Sequence, residues 1–501
     1  DRPEVAAIKG RRDMAQVVRR AVEERQRLPR RDIRLGVLGR DLVLRRSDVA
    51  AARDAARATG QPHNRARRVF VRQLIDGLAK QYAAQEVDAA AARGSDRAGW
   101  SAGDTPIPVD SLGEGTGGLL GAADMDEVRQ DLRAARDVRV AINLCWMPMT
   151  PTLLIEDLYA KPHIMVYCAP QLTAAERAAL ARPAGSAWTA SDIPLLDEAA
   201  ELLGEDDAAQ EAELRHAALR RAEEIKYAKH VLAGGVGAGL VSAEQLADRF
   251  AATGPSLTLA ERAGADRSWT YGHIVVDEAQ ELTPMDWRAL LRRCPTRSLT
   301  IVGDAGQTRA PGATGRWDAS LNRALGKGAW RLEELTVNYR TPGAVVRAAQ
   351  RRARAAGLPV GADTAAREVR GASQERVVDD LVGEAVALAA SLLPEDATGR
   401  VALIAAGPTL DAARAAVAAG PLKDAVARSG ESPLDFPLAI LDAGATKGLE
   451  FDEVIIADPD AILRAAGTET VYDRRAGAAD LYVAMTRPTR RLWILKPAAR
   501  A

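Results

Sequence analysis

The apolar positions of this 501-residue chain change their period partway along. Over residues 1–95 they recur every three or four residues, as in RRDMAQVVRRAVEER and SDVAAARDAARATG. That spacing predicts a run of amphipathic helices, with Ser47 as an N-cap. The period continues over 64–92, with Arg65, Arg67 and Arg68 on one turn. It lapses over 98–124, a stretch rich in Gly and Pro that reads as a loop or linker. Helical spacing resumes at 126–136, at TPTLLIEDLY after a turn at Met147-Pro148, at WTASDIPLLDEAAELLG (188–204) and over 208–231. AGGVGAG (233–239) is a second break. From residue 270 the texture is different. Short β-rich runs appear at HIVVD (273–277), LTIVGD (299–304), VALIA (401–405), PLAILDA (437–443), EVIIAD (453–458) and RLWIL (491–495), with helical patterns between them. Nearly continuous apolar strands alternating with helices predict parallel sheets covered on both faces.

Composition narrows the class. The chain is 47% apolar but only 4% aromatic, so its cores are Leu, Val and Ala packing. Its length predicts two to four domains. Lys plus Arg and Asp plus Glu both total 68, so no global field draws nucleic acid. Locally the balance shifts: 1–80 is Arg-rich, while 98–128 holds six acids and no Lys or Arg. Cys145, Cys168 and Cys294 lie far apart without a CxxC, which excludes a disulfide framework or a zinc site. No apolar run is long enough to span a membrane, and the charged start is no signal peptide, so a cytoplasmic protein is expected. The first residue is Asp1, not Met, as in a fragment or a processed chain.

The chemistry is concentrated in the second half. Asp277 and Glu278 follow an apolar strand, where parallel α/β sheets place ligands. In an ATPase the Asp would hold Mg²⁺ through water and the Glu would orient or deprotonate the attacking water. VGDAGQ (302–307) repeats the arrangement one strand later, with Gln307 placed to sense a γ-phosphate or meet that water. LTVNYR offers Arg340 and LYVAMTRPTR offers Arg487, two arginines that would converge on a γ-phosphate. Taken singly, each reads as a surface arginine. ATKGLEFDEVII (445–456) places Glu450 to accept from a ribose hydroxyl, and Thr446 and Lys447 to meet a nucleic-acid phosphate.

In this order and spacing the five segments resemble motifs II to VI of superfamily 1 helicases of the UvrD/Rep type. The resemblance runs from about residue 270 to the C-terminus. It implies an α/β fold with two RecA-like parallel-sheet domains and ATP (or GTP) with Mg²⁺ between them. It also implies Gln280, Tyr339, Gly448 and Glu450 as nucleotide-binding residues. The chain departs from the pattern in three ways. It has no P-loop: GEGTGG (113–118) runs into Leu119 and Leu120, and GKG (326–328) lacks the hydroxyl that ligands Mg²⁺. The stretch between Arg340 and Thr446 is too short for the large insertion of true UvrD-type helicases. Thr308 and Arg309 stand where the family carries a base-stacking aromatic, and Trp317 is the nearest large ring.

PHNRARRVFVRQLID (62–76), LCWMPMTPTLLIEDLY (144–159), WTASDIPLLDEAAELLG (188–204) and ADRSWTYGHIVVDEAQELTPMDWRALLRRCP (265–295) together resemble HelD, a bacterial family of UvrD-like ATPases that bind RNA polymerase. On that resemblance residues 1–20 and 269–330 form an incomplete first RecA-like domain, and 331–501 the second. A mostly helical, clamp-opening insertion occupies 21–200. A charged helix and a candidate primary-channel loop, 228–264, occupy 201–268. The implied partner is core RNA polymerase, bound one to one by a monomer at its clamp and primary channel, with nucleic acid engaged weakly or indirectly. The acids Asp104, Asp110, Glu114 and Asp124 would mimic nucleic-acid phosphate or approach the polymerase Mg²⁺, or else belong to a solvated linker. Arg65 and Arg68 would grip an acidic surface or phosphates, or else form a solvated helix face.

Overall fold

The computed structural model describes residues 1–97, 121–204, 258, 264, 266–313, 315–361, 363–393, 399–427, 431–432 and 435–498. The chain forms two compact units, Asp13–Ser268 and the pair Asp1–Arg12 with Trp269–Ala501. Asp104, Asp110, Glu114 and nearly all of 228–264 lie outside the described residues. No helix among the described residues is long and apolar enough to cross a membrane.

Among its described residues the Asp13–Ser268 unit has helices and one hairpin. β1 (Ile33–Val37) and β2 (Arg40–Leu44) pair antiparallel, which corrects the expectation of helix throughout 1–95. The turn residues Leu38 and Gly39 have φ of 54° and 71°, the left-handed pair that matches strand twist. Alternation then sends Leu35, Val37, Leu42 and Leu44 into a core shared with Phe70, Leu74, Leu132, Ile142 and Trp146. Ser47 does not cap the helix Arg46–Ala58. Asp32 Oδ1 accepts from the Arg46 N–H at 2.8 Å instead, because the hairpin brings it to the helix start. The helices Pro151–Ala160 and Ile193–Leu203 fall on the expected segments. Thr150 Oγ1 caps the first by accepting from the Leu153 N–H, and Gly204 ends the second with φ of 68°.

His63 ties this unit together. Its Nε2–H donates to the Met147 carbonyl at 2.8 Å, and Gln26 Nε2 donates to its Nδ1 at 3.2 Å. Arg57 Nε donates to Gln26 Oε1 at 2.6 Å, which fixes the way that amide faces. The ring lies 5.3 Å from that of Trp146. Both ring nitrogens are therefore satisfied in the neutral form, and a second proton would face an amide N–H.

The other unit carries an all-parallel sheet of β7 (Ser373–Val378), β8 (Val401–Ile404), β9 (Leu438–Leu441), β10 (Phe451–Ala457) and β11 (Pro488–Pro497). Their order is β7-β11-β10-β8-β9. Alternate residues of the central strands enter two cores. Ile404, Val454, Ile456, Leu492 and Ile494 pack with the helices Gly343–Ala355, Pro459–Ala465 and Val471–Met485. Val401, Leu403, Ile455, Trp493 and Leu495 pack with Leu381–Leu392 and Gly407–Ala419. A second parallel pair, β3 (Ile274–Val276) with β4 (Leu299–Ile301), holds the DEAQE and VGDAGQ segments at its carboxyl ends. The N-terminal helix Pro3–Lys9 belongs here too: Gly10 leaves no room for a Cβ beside Thr283, and its carbonyl accepts from the Met285 N–H at 3.1 Å. The two-residue strands β5 (Val337–Asn338) and β6 (Thr364–Ala365) also pair parallel.

Burial pushes the pKa of His63 down from 6.5 to about 4, with Met147 opposing and Arg67 and Arg25 adding repulsion. Between those two values the unfolded chain binds a proton that the folded chain refuses. The stability carried by the neutral ring is therefore complete above pH 6.5 and is lost as pH falls toward 4, by up to roughly 3 kcal/mol. We expect His63→Gln to flatten this part of the stability profile, measured by urea unfolding at a series of pH values. An unchanged slope would assign it to other groups.

Candidate functional site

The DEAQE loop begins where β3 ends. Glu278 takes a left-handed conformation, φ 52°, uncommon for a residue with a side chain. Its N–H donates to Asp277 Oδ1 at 2.8 Å, so the two carboxylates leave the strand end in different directions. Gln280, 6% exposed, then joins two loops. Its Nε2 donates to Glu278 Oε2 at 2.6 Å, and its Oε1 accepts from the Asp304 N–H at 3.1 Å. Asp304 in turn accepts from the Gly306 N–H at 2.8 Å and from Gln307 Nε2 at 2.9 Å. Gln307 is thus held by its own loop. Thr308 is buried and bonds the Ala305 carbonyl, and Trp317 packs against Gly303 and the β3–β4 core.

The remaining groups come from 331–501. Asn338 Oδ1 accepts from the N–H groups of Arg340 and Thr341, which turns the chain after β5 and presents Arg340. Arg340 Nη1 lies 2.5 Å from Glu450 Oε1, and its buried Nε has no hydrogen-bond partner. Arg487, 5% exposed, follows the helix Val471–Met485. It donates to neutral oxygens only: Nε to the Val483 carbonyl at 3.0 Å, Nη1 to the Leu449 carbonyl at 3.4 Å and Nη2 to Thr486 Oγ1 at 3.3 Å. Burial lowers its pKa, the nearby positive charge of Arg340 lowers it further, and Glu278 and Glu450 oppose. Among the described residues Arg487 has no ion pair, and the charges of Arg340, Glu278 and Glu450 act on it only at longer range.

Lys447 links the two sets. Its Nζ lies 2.9 Å from Glu281 Oε1 and 3.1 Å from Glu278 Oε2. Burial alone would lower its pKa, but the bonds to Glu281 and Glu278 raise it. Glu281 is fixed by main chain as well, accepting from the Arg309 N–H at 3.0 Å and the Ala310 N–H at 2.6 Å. Nearby, Arg309 Nε lies 3.4 Å from Asp480 Oδ1. Burial pushes the Asp480 carboxyl up to about 6; Arg309 opposes this, and the negative charges of Asp442 and Glu281 add to it. Arg475 lies against Gly315, with its pKa lowered by burial and partly restored by Glu281.

Of the sequence-predicted residues, Glu278 is joined to Gln280 and Lys447, Arg340 to Glu450, and Arg487 to the Leu449 carbonyl next to Glu450. Asp277 is exposed at the strand end, and Gly448, φ 78°, has open space where a Cβ would stand. Tyr339 is 80% exposed. Thr446 is fully buried and donates to the Ala443 carbonyl at 2.7 Å, so its hydroxyl closes a turn instead of meeting a phosphate. Asp124 accepts from the Gly121 N–H at 2.8 Å at the start of its own helix. Arg65 and Arg68 are exposed, while Arg67 donates to the Trp146 carbonyl and Asn143 Oδ1. Glu281, Asp480, Arg309 and Arg475 were not singled out from the sequence. Glu281 stood in the motif itself, and its register two residues after Ala279 was the one available signal. No family model matches this chain, and no curated protein matches it significantly.

Gly303 is required by close approach, not by its φ. A Cβ there would stand 2.2 Å from Gln280 Oε1 and 2.9 Å from Trp317. Gly303→Ala is expected to displace the Gln280 bridge and cost about 1–3 kcal/mol in urea unfolding. A variant as stable as the parent would show that Gln280 does not hold the two loops together.

Proposed function

We propose that this chain is a HelD-type remodelling factor: a UvrD-like, nucleotide-dependent protein that binds bacterial core RNA polymerase, opens its clamp and displaces nucleic acid from stalled or drug-inhibited enzyme. The observation that carries the nucleotide part is Arg487, buried with only neutral partners and acted on at longer range by Arg340, Glu278 and Glu450. A buried guanidinium whose donors are spent on neutral oxygens suits a transferring phosphoryl group.

The residues fit the group in part. Asp277 and Glu278 suit a water-bridged Mg²⁺ and an attacking water, Arg340 and Arg487 a γ-phosphate, and Glu450 a ribose hydroxyl once Arg340 releases it. When bound, Mg²⁺ and ATP (or GTP) would supply the phosphoanhydride and its charge neutralisation. The remaining phosphates need a cradle of backbone N–H groups and a lysine, and the sequence has no GxxxxGK[ST]. The polymerase part of the reading is supported by chain path. The chain leaves the α/β unit after Arg12 and returns at Trp269, as an inserted helical domain would. On this reading the α/β unit is two RecA-like domains, 269–330 with the N-terminal helix and 331–501. A processive helicase is disfavoured, because Thr308 and Trp317, the groups nearest to a stacking position, are both spent on internal packing.

Two outcomes are expected. The purified chain should hydrolyse ATP no faster than buffer, and measurable turnover that Glu278→Gln abolishes would overturn the account of the cradle. Mixed with core polymerase, the chain should give a 1:1 complex by native mass measurement, best formed on polymerase free of nucleic acid. Absence of any complex would remove the polymerase reading.

A further inference from the structure

The helices Gly343–Ala355, Pro459–Ala465 and Val471–Met485 pack with one face of the five-stranded sheet, and between them lies a cavity of about 320 Å³. Small residues create it. Gly477 lets the second and third helices touch, since a Cβ there would collide with the Leu463 carbonyl. Ala353, Ala356 and Ala478 line the space, and one side-chain carbon each cannot fill it; Leu463 and Leu481 complete an apolar floor. Three ionic groups also stand on the lining: Arg352, Lys496 and Asp460. Lys496 Nζ donates to Glu375 Oε1 at 2.5 Å and Arg352 Nη2 to Glu375 Oε2 at 2.6 Å, and these bonds hold the Glu375 carboxyl below its ordinary range. Two cations thus share one carboxylate. Asp460 has no ion pair among the described residues. Its place is set by Asp458, whose N–H donates to the Leu495 carbonyl at 2.9 Å and whose Oδ1 accepts from the Ala461 N–H at 3.1 Å. The acid is therefore anchored beside the strand end that carries Lys496.

We propose that this cavity binds a free α-amino acid with an apolar side chain. The side chain lies on the leucines and alanines of the floor, the carboxylate takes donors of Arg352 and Lys496, and the ammonium faces Asp460. Donors are available, because a guanidinium and an ammonium together carry more N–H groups than the two oxygens of Glu375 can use. The charge count selects a zwitterion. Arg352, Lys496, Glu375 and Asp460 sum to zero. A lone carboxylate would add a negative excess near Asp460, and a lone amine a positive excess near two cations, whereas a zwitterion leaves the balance as it is. The floor selects an apolar side chain, since a polar one would lose its water there without a partner. The volume lies at the small end of ligand sites and suits a single amino acid. The cavity shares no residue with the Glu278–Arg487 cluster, so this inference goes beyond the function proposed above and does not depend on it.

Saturation-transfer NMR on the full chain tests this. L-Phenylalanine should bind with a Kd on the order of 1 mM. Hydrocinnamate, without the ammonium, and phenethylamine, without the carboxylate, should each bind roughly tenfold more weakly, and L-serine should give no signal. Ala356→Trp, at the exposed lip of the cavity, should abolish binding and leave urea unfolding unchanged. Asp460→Asn should weaken phenylalanine and strengthen hydrocinnamate, a reversal that a misfolded variant would not give. Phenylalanine binding that survives Ala356→Trp would place the ligand elsewhere and overturn the proposal. Hydrocinnamate bound as tightly as phenylalanine by the parent would overturn the zwitterion, and no phenylalanine signal at about 20 mM would overturn the site itself. Neither nucleotide nor polymerase enters these measurements, so their failure and that of the polymerase complex are distinguishable.

Discussion

A parallel strand can be satisfied only inside a sheet, and such a sheet must be covered on both faces. That constraint organises the α/β unit. β8 is buried at every position and β10 at all but one, since helices lie on each side of them. A strand buried on both sides meets solvent only at its ends, so polar chemistry gathers where the chain leaves the sheet. Asp277 and Glu278 stand at such an end. The β3–β4 pair obeys the rule on one face only. Val275 is 67% exposed and Val302 48% exposed, and the following segment exposes Leu332, Leu335, Val337 and Tyr339. These uncovered apolar groups belong to the same segments as the DEAQE, VGDAGQ and NYR motifs.

The central strands β8 and β10 were legible because burial on both faces writes a continuous apolar run into the sequence; β3 and β4 carry the same apolar composition although they are only partly buried. β7 was not legible, because it lies at the sheet edge and its outward positions are Glu375, Arg376 and an exposed Val377. The β1–β2 hairpin was missed for another reason. Its turn is Leu38-Gly39, without the Asn or Asp that usually marks such a turn, and helical spacing flanks it on both sides. Thr150 and Gly204, which cap helix ends in the structure, stand at the ends of two segments with helical spacing. The cap of Arg46–Ala58 was not legible, because a distant carboxylate, Asp32, supplied the bond.

The site shows the same division. A motif fixes which side chains can act, so Glu278, Arg340, Glu450 and Arg487 were nameable from the sequence. It cannot say which contacts the folded chain makes among them. Arg340 meets Glu450 across 110 positions and Lys447 meets Glu281 across 166. Thr446 failed as a phosphate ligand for a local reason. A threonine in a tight turn finds the carbonyl three residues back, and that bond outcompetes any exposed orientation. Asp124 is exposed and accepts from the Gly121 N–H at its own helix start.

What the local bonds leave over is the informative part. Glu450 is matched by Arg340, Asp480 by Arg309, and Glu278 and Glu281 by a single lysine. Arg340–Glu450 and Arg309–Asp480 are balanced pairs, while one lysine shared by Glu278 and Glu281 leaves that trio with a net negative charge. Arg487 is the exception, with its donors spent on neutral oxygens and the charges of Arg340, Glu278 and Glu450 only at longer range. A buried, uncompensated guanidinium costs several kcal/mol unless something else repays it. The helix end does not require the arginine, since the Val483 carbonyl also accepts from the Thr486 N–H at 3.0 Å and from Thr486 Oγ1 at 2.9 Å. On the function proposed above, a bound anion would complete the pairing that Glu278 and Glu450 supply only at longer range.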